Sequence, residues 1–326
     1  MEWYIILCIV LGGVLVLFGL YLILALIVAK MMLKSAATPV AHTLDEARDW
    51  QKKYENWDFT DYDEVWRRQP FELDGIQGKL RGEIIYNDNM PQDSRPKVAV
   101  ICHGHTWNRI NSLKYANIFY AKGYNVVIYD HAYFGLSDGT HTTVGDKERY
   151  DLNTVLDYTR RLFGDNAILA LHGESMGAAT VLLELGLRTD IDFVVADCPF
   201  SNTMSYYREL CKRLTHLPSF PIVDMANSLA KSKYGYNFTN VSPIDAVKQS
   251  KTAICFIHGL ADTFIDPHHS RDMLKISANP LSELHLFEGA GHARSHCTNK
   301  AMYIAVISNF IDKMEASFTD ADEKVA

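Results

Sequence analysis

From residue 79 onward, short β-branched runs alternate with amphipathic stretches of helical length. The runs are KLRGEIIYN (79–87), KVAVICHG (97–104), YNVVIYDHA (124–132), AILALHG (167–173), DFVVADC (192–198), TAICFIHG (252–259) and SELHLFEG (282–289). Residues 112–123, 148–164, 178–188, 268–277 and 299–316 carry the helical period. Repeated strand–helix–strand units need crossovers, and crossovers produce a mostly parallel sheet with helices on both faces. The expected fold class is α/β. In such sheets the working groups gather beyond the carboxyl ends of the strands.

One of those strand ends carries Gly173-Glu174-Ser175-Met176-Gly177, a G-x-S-x-G pattern lying between AILALHG and the helical AATVLLELGLR. A strand turning sharply into a helix strains the residue at the bend and brings backbone segments close together. Small residues on either side relieve that crowding. The bend lifts the Ser175 hydroxyl above the sheet edge, next to the unpaired N–H groups at the start of a helix.

A serine hydroxyl is a weak nucleophile at neutral pH and needs a base and a carboxylate to orient the base. Asp262, in HGLADTFI, and His292, in GAGHARS, each follow a strand and complete the order Ser, Asp, His. Asp266 and Asp197 are the rival carboxylates, and His285, His268, His269 and His296 the rival imidazoles. Glu174 is expected to be a polar neighbour of the serine. His103 and His105 form an alternating pair that suggests a metal only at first sight, because one histidine of such a pair faces a given side and no cysteine or carboxylate cluster accompanies them. No metal or other cofactor is expected.

Residues 71–316 resemble an α/β-hydrolase, close to the bacterial serine-aminopeptidase-like and esterase branch. The segments carrying the resemblance are HGHTWNR, YDHAYFGLSDG, HGESMGAAT, HGLADTFI and GAGHARS. The resemblance implies that Ser175 is the nucleophile, His292 the general base and then acid, and Asp262 its orienting carboxylate. The oxyanion hole is implied to come from the backbone N–H groups of Met176 and His105. There is one departure. His131 stands where many relatives carry arginine, which leaves a structural ion pair beneath the site without its usual cation.

Ahead of this domain, residues 3–29 hold no charged, amide or hydroxyl side chain apart from two tyrosine phenols. As a helix the run is roughly 40 Å long, enough to cross a hydrocarbon core of about 30 Å. A single transmembrane anchor is expected. A cleaved signal peptide, with Ala36 and Ala37 mimicking a cleavage site, is the rival, but the basic leading segment is missing and the apolar run is too long. Lys30, Lys34, Arg48, Lys52 and Lys53 follow the run while only Glu2 and the amino terminus precede it, a bias that predicts a cytoplasmic catalytic domain. Cys8 sits in the run and five cysteines remain, several in strand-like stretches, which suits free thiols in a reducing compartment. The sequons at Asn237 and Asn240 point the other way, and are short enough to arise by chance. Residues 30–70 read as a docked connector with an amphipathic segment at Leu44, Ala47 and Trp50.

Residues 199–243 are rich in Phe, Tyr, Met and Leu and read as a cap whose surface suits an apolar acyl group, or as an ordinary helix pair on the sheet. Residues 317–326 read as a polar tail. A net charge of −7 excludes general attraction for nucleic acid. The expected activity is hydrolysis of a carboxylic ester or related acyl bond on a small-molecule or lipid-like substrate. A serine aminopeptidase, and a non-catalytic binding protein on the same fold, are the alternatives.

Overall fold

The computed structural model describes residues 2–88 and 95–325. Eight strands form one sheet: β1 (Arg67–Gly75), β2 (Gly78–Tyr86), β3 (Lys97–Cys102), β4 (Asn125–Tyr129), β5 (Ile168–Glu174), β6 (Phe193–Asp197), β7 (Ala253–Gly259) and β8 (Glu283–Phe287). Their spatial order is β1-β2-β4-β3-β5-β6-β7-β8. The β1/β2 and β2/β4 pairs are antiparallel and every later pair is parallel.

Eleven helices are described: α1 (Glu2–Ala37), α2 (Leu44–Tyr54), α3 (Leu113–Ala121), α4 (Glu148–Phe163), α5 (Met176–Glu184), α6 (Thr203–Thr215), α7 (Ser219–Tyr234), α8 (Pro243–Gln249), α9 (His268–Ile276), α10 (Ser295–Thr298) and α11 (Lys300–Val325). The alternation of side chains along each strand divides the core in two. In β3, Ala99 and Ile101 join residues of α2, α3 and α11 on one face. Val98, Val100 and Cys102 join residues of α4, α5 and α9 on the other. Helices therefore cover both faces, which satisfies strands that are apolar on both sides.

Three features depart from the sequence reading. The edge strand β1 falls partly within the expected connector. Its Pro70 and charged residues hide it, and an outermost strand tolerates both because one row of its backbone groups faces away from the sheet. The tail expected from residue 317 continues α11 to Val325, and its last residue, 326, lies outside the described residues. Third, α1 is longer than the apolar run and its second half is docked: Ala25, Ala29, Leu33, Ala36 and Ala37 are buried in a cluster with α6 and α7.

The connector is docked too. Thr43 caps α2, accepting from the Glu46 N–H while the Glu46 carboxylate accepts from the Thr43 N–H, which satisfies two orphan donors at once. Ala47 and Gln51 face inward, and the Gln51 amide donates to the carbonyl of Ile110. Between β6 and β7 lie the two main helices of the expected cap segment, α6 and α7, and residues of α6 line the space above Ser175.

Candidate active site

Ser175 sits between β5 and α5 with φ 56° and ψ −114°, a conformation that side chains rarely adopt. Its flanking glycines are required by close approach. A Cβ on Gly173 would lie 2.3 Å from the Gly177 carbonyl oxygen, and a Cβ on Gly177 would lie 2.2 Å from the Cys102 oxygen and 2.6 Å from that of His103. Helix α5 thus presses against both its own strand and the end of β3. The Ser175 N–H donates to the Asp197 carbonyl (2.8 Å), fixing the bend to β6.

The structure brings together the three residues singled out from the sequence. Ser175 Oγ lies 2.8 Å from His292 Nε2, and His292 Nδ1 lies 2.7 Å from Asp262 Oδ2. With Nδ1 facing a carboxylate, that nitrogen carries the proton, and Nε2 accepts from the serine hydroxyl. Asp262 is held by the loop after β7: its Oδ1 accepts from the N–H groups of Phe264 (2.8 Å) and Ile265 (2.9 Å). Burial alone would raise this carboxyl. The hydrogen bonds of His258 and His292 and the Ile265 amide outweigh burial, and hold it well below the usual carboxylate range.

The rivals lie elsewhere. Asp197 accepts from the Tyr303 hydroxyl (2.9 Å), and burial with Glu174 nearby pushes its carboxyl up to about 7. Asp266 accepts from the His268 N–H (2.9 Å) at the start of α9. His285 pairs with Glu283 (2.9 Å), His268 and His269 face Glu209 (3.1 and 3.4 Å), and His296 bonds Glu55 (2.7 Å). His103 is turned inward, its Nδ1 against the Gly104 carbonyl and its Nε2 accepting from the His131 N–H (2.9 Å).

Two buried networks beneath the site escaped the sequence reading. The ion pair that His131 fails to supply is present, because Arg109, from HGHTWNR, pairs with both Asp130 and Glu83. His131 itself is fully buried, and desolvation holds its imidazole well below the usual range, so it is neutral. Glu174 is more than a polar neighbour. Lys114 lies 3.2 Å from both Glu174 and Glu55, and Glu174 also accepts from Tyr115 and from Asn111 (3.2 Å). Burial opposes charge on Glu55, but its bond to His296 and the Lys114 ammonium bring the carboxyl down to about 2. The connector is thereby tied to the residue beside Ser175. No local pattern announces such a network; the only sign is a lysine in the mainly apolar α3.

Above Ser175 lies a cavity of about 350 Å³, within the range of small-molecule sites. Met176 and His105 line it with Ser175, as do Phe200, Tyr206, Leu210 and Leu214, and among its described lining residues there is no Asp, Glu, Lys or Arg. Met176 opens α5, so its N–H has no partner within the helix. The His105 imidazole donates through Nε2 to the Ala36 carbonyl at the end of α1 (2.9 Å), and burial lowers its basicity despite that bond.

Comparison with known proteins agrees with this architecture. The family model for serine aminopeptidases of class S33 matches residues 93–235. The chain is 36% identical to the uncharacterized protein YqkD of Bacillus subtilis over 232 residues, 70% of this chain and 74% of YqkD. The esterase Pf2001 of Pyrococcus furiosus superposes with a TM-score of 0.63 at 22% identity, covering 79% of this chain and 96% of the esterase. The chain belongs to the α/β-hydrolase family. XC6422 of Xanthomonas campestris, described as a serine hydrolase without a lid, shares the fold at a TM-score of 0.53 and 18% identity, over 76% of this chain and 94% of XC6422. In this chain Tyr206, Leu210 and Leu214 of α6 line the cavity over Ser175.

Proposed function

We propose that this hydrolase is a membrane-tethered carboxylic ester hydrolase working through Ser175, His292 and Asp262. The observation that carries the reading is the continuous chain of two hydrogen bonds from Ser175 through His292 to Asp262, opening into an apolar cavity. In this reading His292 Nε2 takes the Ser175 proton as Oγ attacks the acyl carbonyl. The Met176 and His105 N–H groups hold the tetrahedral oxyanion, and the imidazolium then protonates the leaving alcohol. Water, deprotonated by His292, cleaves the acyl-enzyme and restores the serine. The charged Asp262 keeps the imidazole in the required tautomer and stabilises its cation.

The family description also names aminopeptidases. An aminopeptidase must bind the free ammonium group of its substrate, for which an apolar site needs a carboxylate. The uncharged lining of the cavity favours an ester with an apolar acyl group. Tethering rests on α1, whose residues from 2 to 20 have no buried side chain, and the basic residues after it favour a cytoplasmic domain.

The test is a panel of p-nitrophenyl esters beside aminoacyl-arylamides, with full-length wild type and Ser175→Ala. Ester turnover lost by about a millionfold in the variant, with no arylamide cleavage, is the expected outcome. Arylamide turnover exceeding ester turnover would replace this reading with a peptidase.

A further inference from the structure

One wall of the cavity over Ser175 comes from outside the hydrolase domain. Val28, Met31, Met32 and Ser35 of α1 line it, opposite Leu210 and Leu214 of α6. The helix is held there at both ends of its docked half. Ala25 and Ala29 pack in one cluster with Ile222, Ala226 and Ala230 of α7, where alanines allow the two backbones to approach closely. At its end, the Ala36 carbonyl accepts from His105 and the Ala37 carbonyl from the Thr142 N–H, each at 2.9 Å. The turn implied in oxyanion binding and the tethering helix are thus directly bonded.

At the other end, the Tyr21 hydroxyl donates to the Phe220 carbonyl (3.0 Å), and above that bond the helix leaves the domain. Residues 2–20 would extend roughly 28 Å, close to the ~30 Å of a hydrocarbon core. The domain therefore sits against the membrane face. There the cap shows exposed Phe220, and the mouth of the cavity is rimmed by exposed Met31 and Leu214. An uncharged, apolar channel with an apolar rim at a bilayer surface suits a chain that arrives from the bilayer, because neither end of its path requires an aqueous crossing.

Resting on the serine-hydrolase reading above, we propose that α1 is a specificity-determining wall of the acyl pocket and that the substrate is a single-chain lipid ester drawn from the bilayer. Its acyl chain lies between Met31 and Met32 of α1 and Leu210 and Leu214 of α6. Its ester carbonyl reaches Ser175, and its polar head remains at the mouth. The cavity volume, near the lower end for ligand sites, fits one chain.

The experiment uses full-length protein in phosphatidylcholine nanodiscs with p-nitrophenyl acetate, octanoate and palmitate, comparing wild type with Met32→Trp, which fills the pocket, and Met31→Glu, which charges an already exposed rim position. Both variants are expected to lower the palmitate-to-acetate ratio of kcat/KM at least about tenfold. With palmitate in vesicles, the wild-type rate should follow the mole fraction of ester in the bilayer. The same chain-length profile in wild type and Met31→Glu, or a rate that tracks bulk concentration alone, overturns the proposal and leaves the serine-hydrolase reading standing. Absence of any Ser175-dependent turnover, acetate included, overturns both.

Discussion

The cavity above Ser175 has two walls of different origin. The sheet-side wall is built from strand ends and the sharp bend at Ser175, where backbone atoms crowd so closely that Gly173 and Gly177 admit no Cβ. The opposite wall is two helical surfaces, α1 and α6, which present mainly valine, methionine, leucine and tyrosine side chains to the cavity. Directional hydrogen bonds define the first, and each of its residues has one place to be. Area and shape define the second, so many side chains could serve. In the proposed reading, reaction type belongs to the first wall and substrate range to the second.

Substitutions can break or sharpen that contrast. On the sheet side, Asp262→Asn should lower kcat by about ten thousandfold, by presenting His292 with the wrong partner. Asp197→Asn should leave ester turnover within a fewfold of wild type, since Asp197 bonds Tyr303 rather than His292. Equal losses in steady-state assays of the two variants would contradict the assignment of the carboxylate.

The next largest effect concerns how the sheet side is braced. Lys114 is buried between Glu55 of the connector and Glu174 beside the serine. Lys114→Met leaves two buried carboxylates without their shared cation and should cost about 3–5 kcal/mol in denaturant unfolding. A change below about 1 kcal/mol would mean that the connector is not energetically tied to the serine bend.

The last effect is a pH dependence, which the contrast places in the sheet half. Glu184 ends α5 fully buried, and both carboxylate oxygens lack a partner among the described residues. Burial, reinforced by Asp157 and Asp190 against the pull of Arg188, pushes its carboxyl up from 4.5 to about 8. The folded protein therefore keeps a proton that the unfolded chain releases. The associated stability is complete below the unfolded value and is lost as pH rises toward 8, by at most about 1.4 kcal/mol per pH unit. Glu184→Gln should flatten that part of the profile in thermal unfolding between pH 5 and 8. An unchanged slope would assign the dependence to other groups.

The two walls also differed in how far the sequence disclosed them. The strands from β2 to β8, the bend at Ser175, and the positions of Asp262 and His292 after β7 and β8 follow from local periodicity and from glycines that backbone crowding demands. The edge strand β1 was hidden because its alternation is broken by charges and Pro70, and only Phe71 in it is buried. The docking of α1 was hidden for a different reason. Its apolar residues run all round the helix, so nothing marks Ala25 and Ala29 as a contact face until α7 lies against them. The same holds for Arg109, whose pairing with Glu83 and Asp130 joins three distant segments and replaces the cation missing at His131. Local backbone demands leave a signature in neighbouring residues, whereas docking between remote surfaces leaves none.

The central claim is that the hydroxyl of Ser175 is a nucleophile activated by His292. Full-length protein in detergent, treated with a fluorophosphonate and digested for mass spectrometry, reads this directly. The account predicts one covalent adduct, on the peptide containing Ser175, that disappears in Ser175→Ala and in His292→Ala. A folded protein that stays unlabelled, or that carries its adduct on another residue, would contradict it.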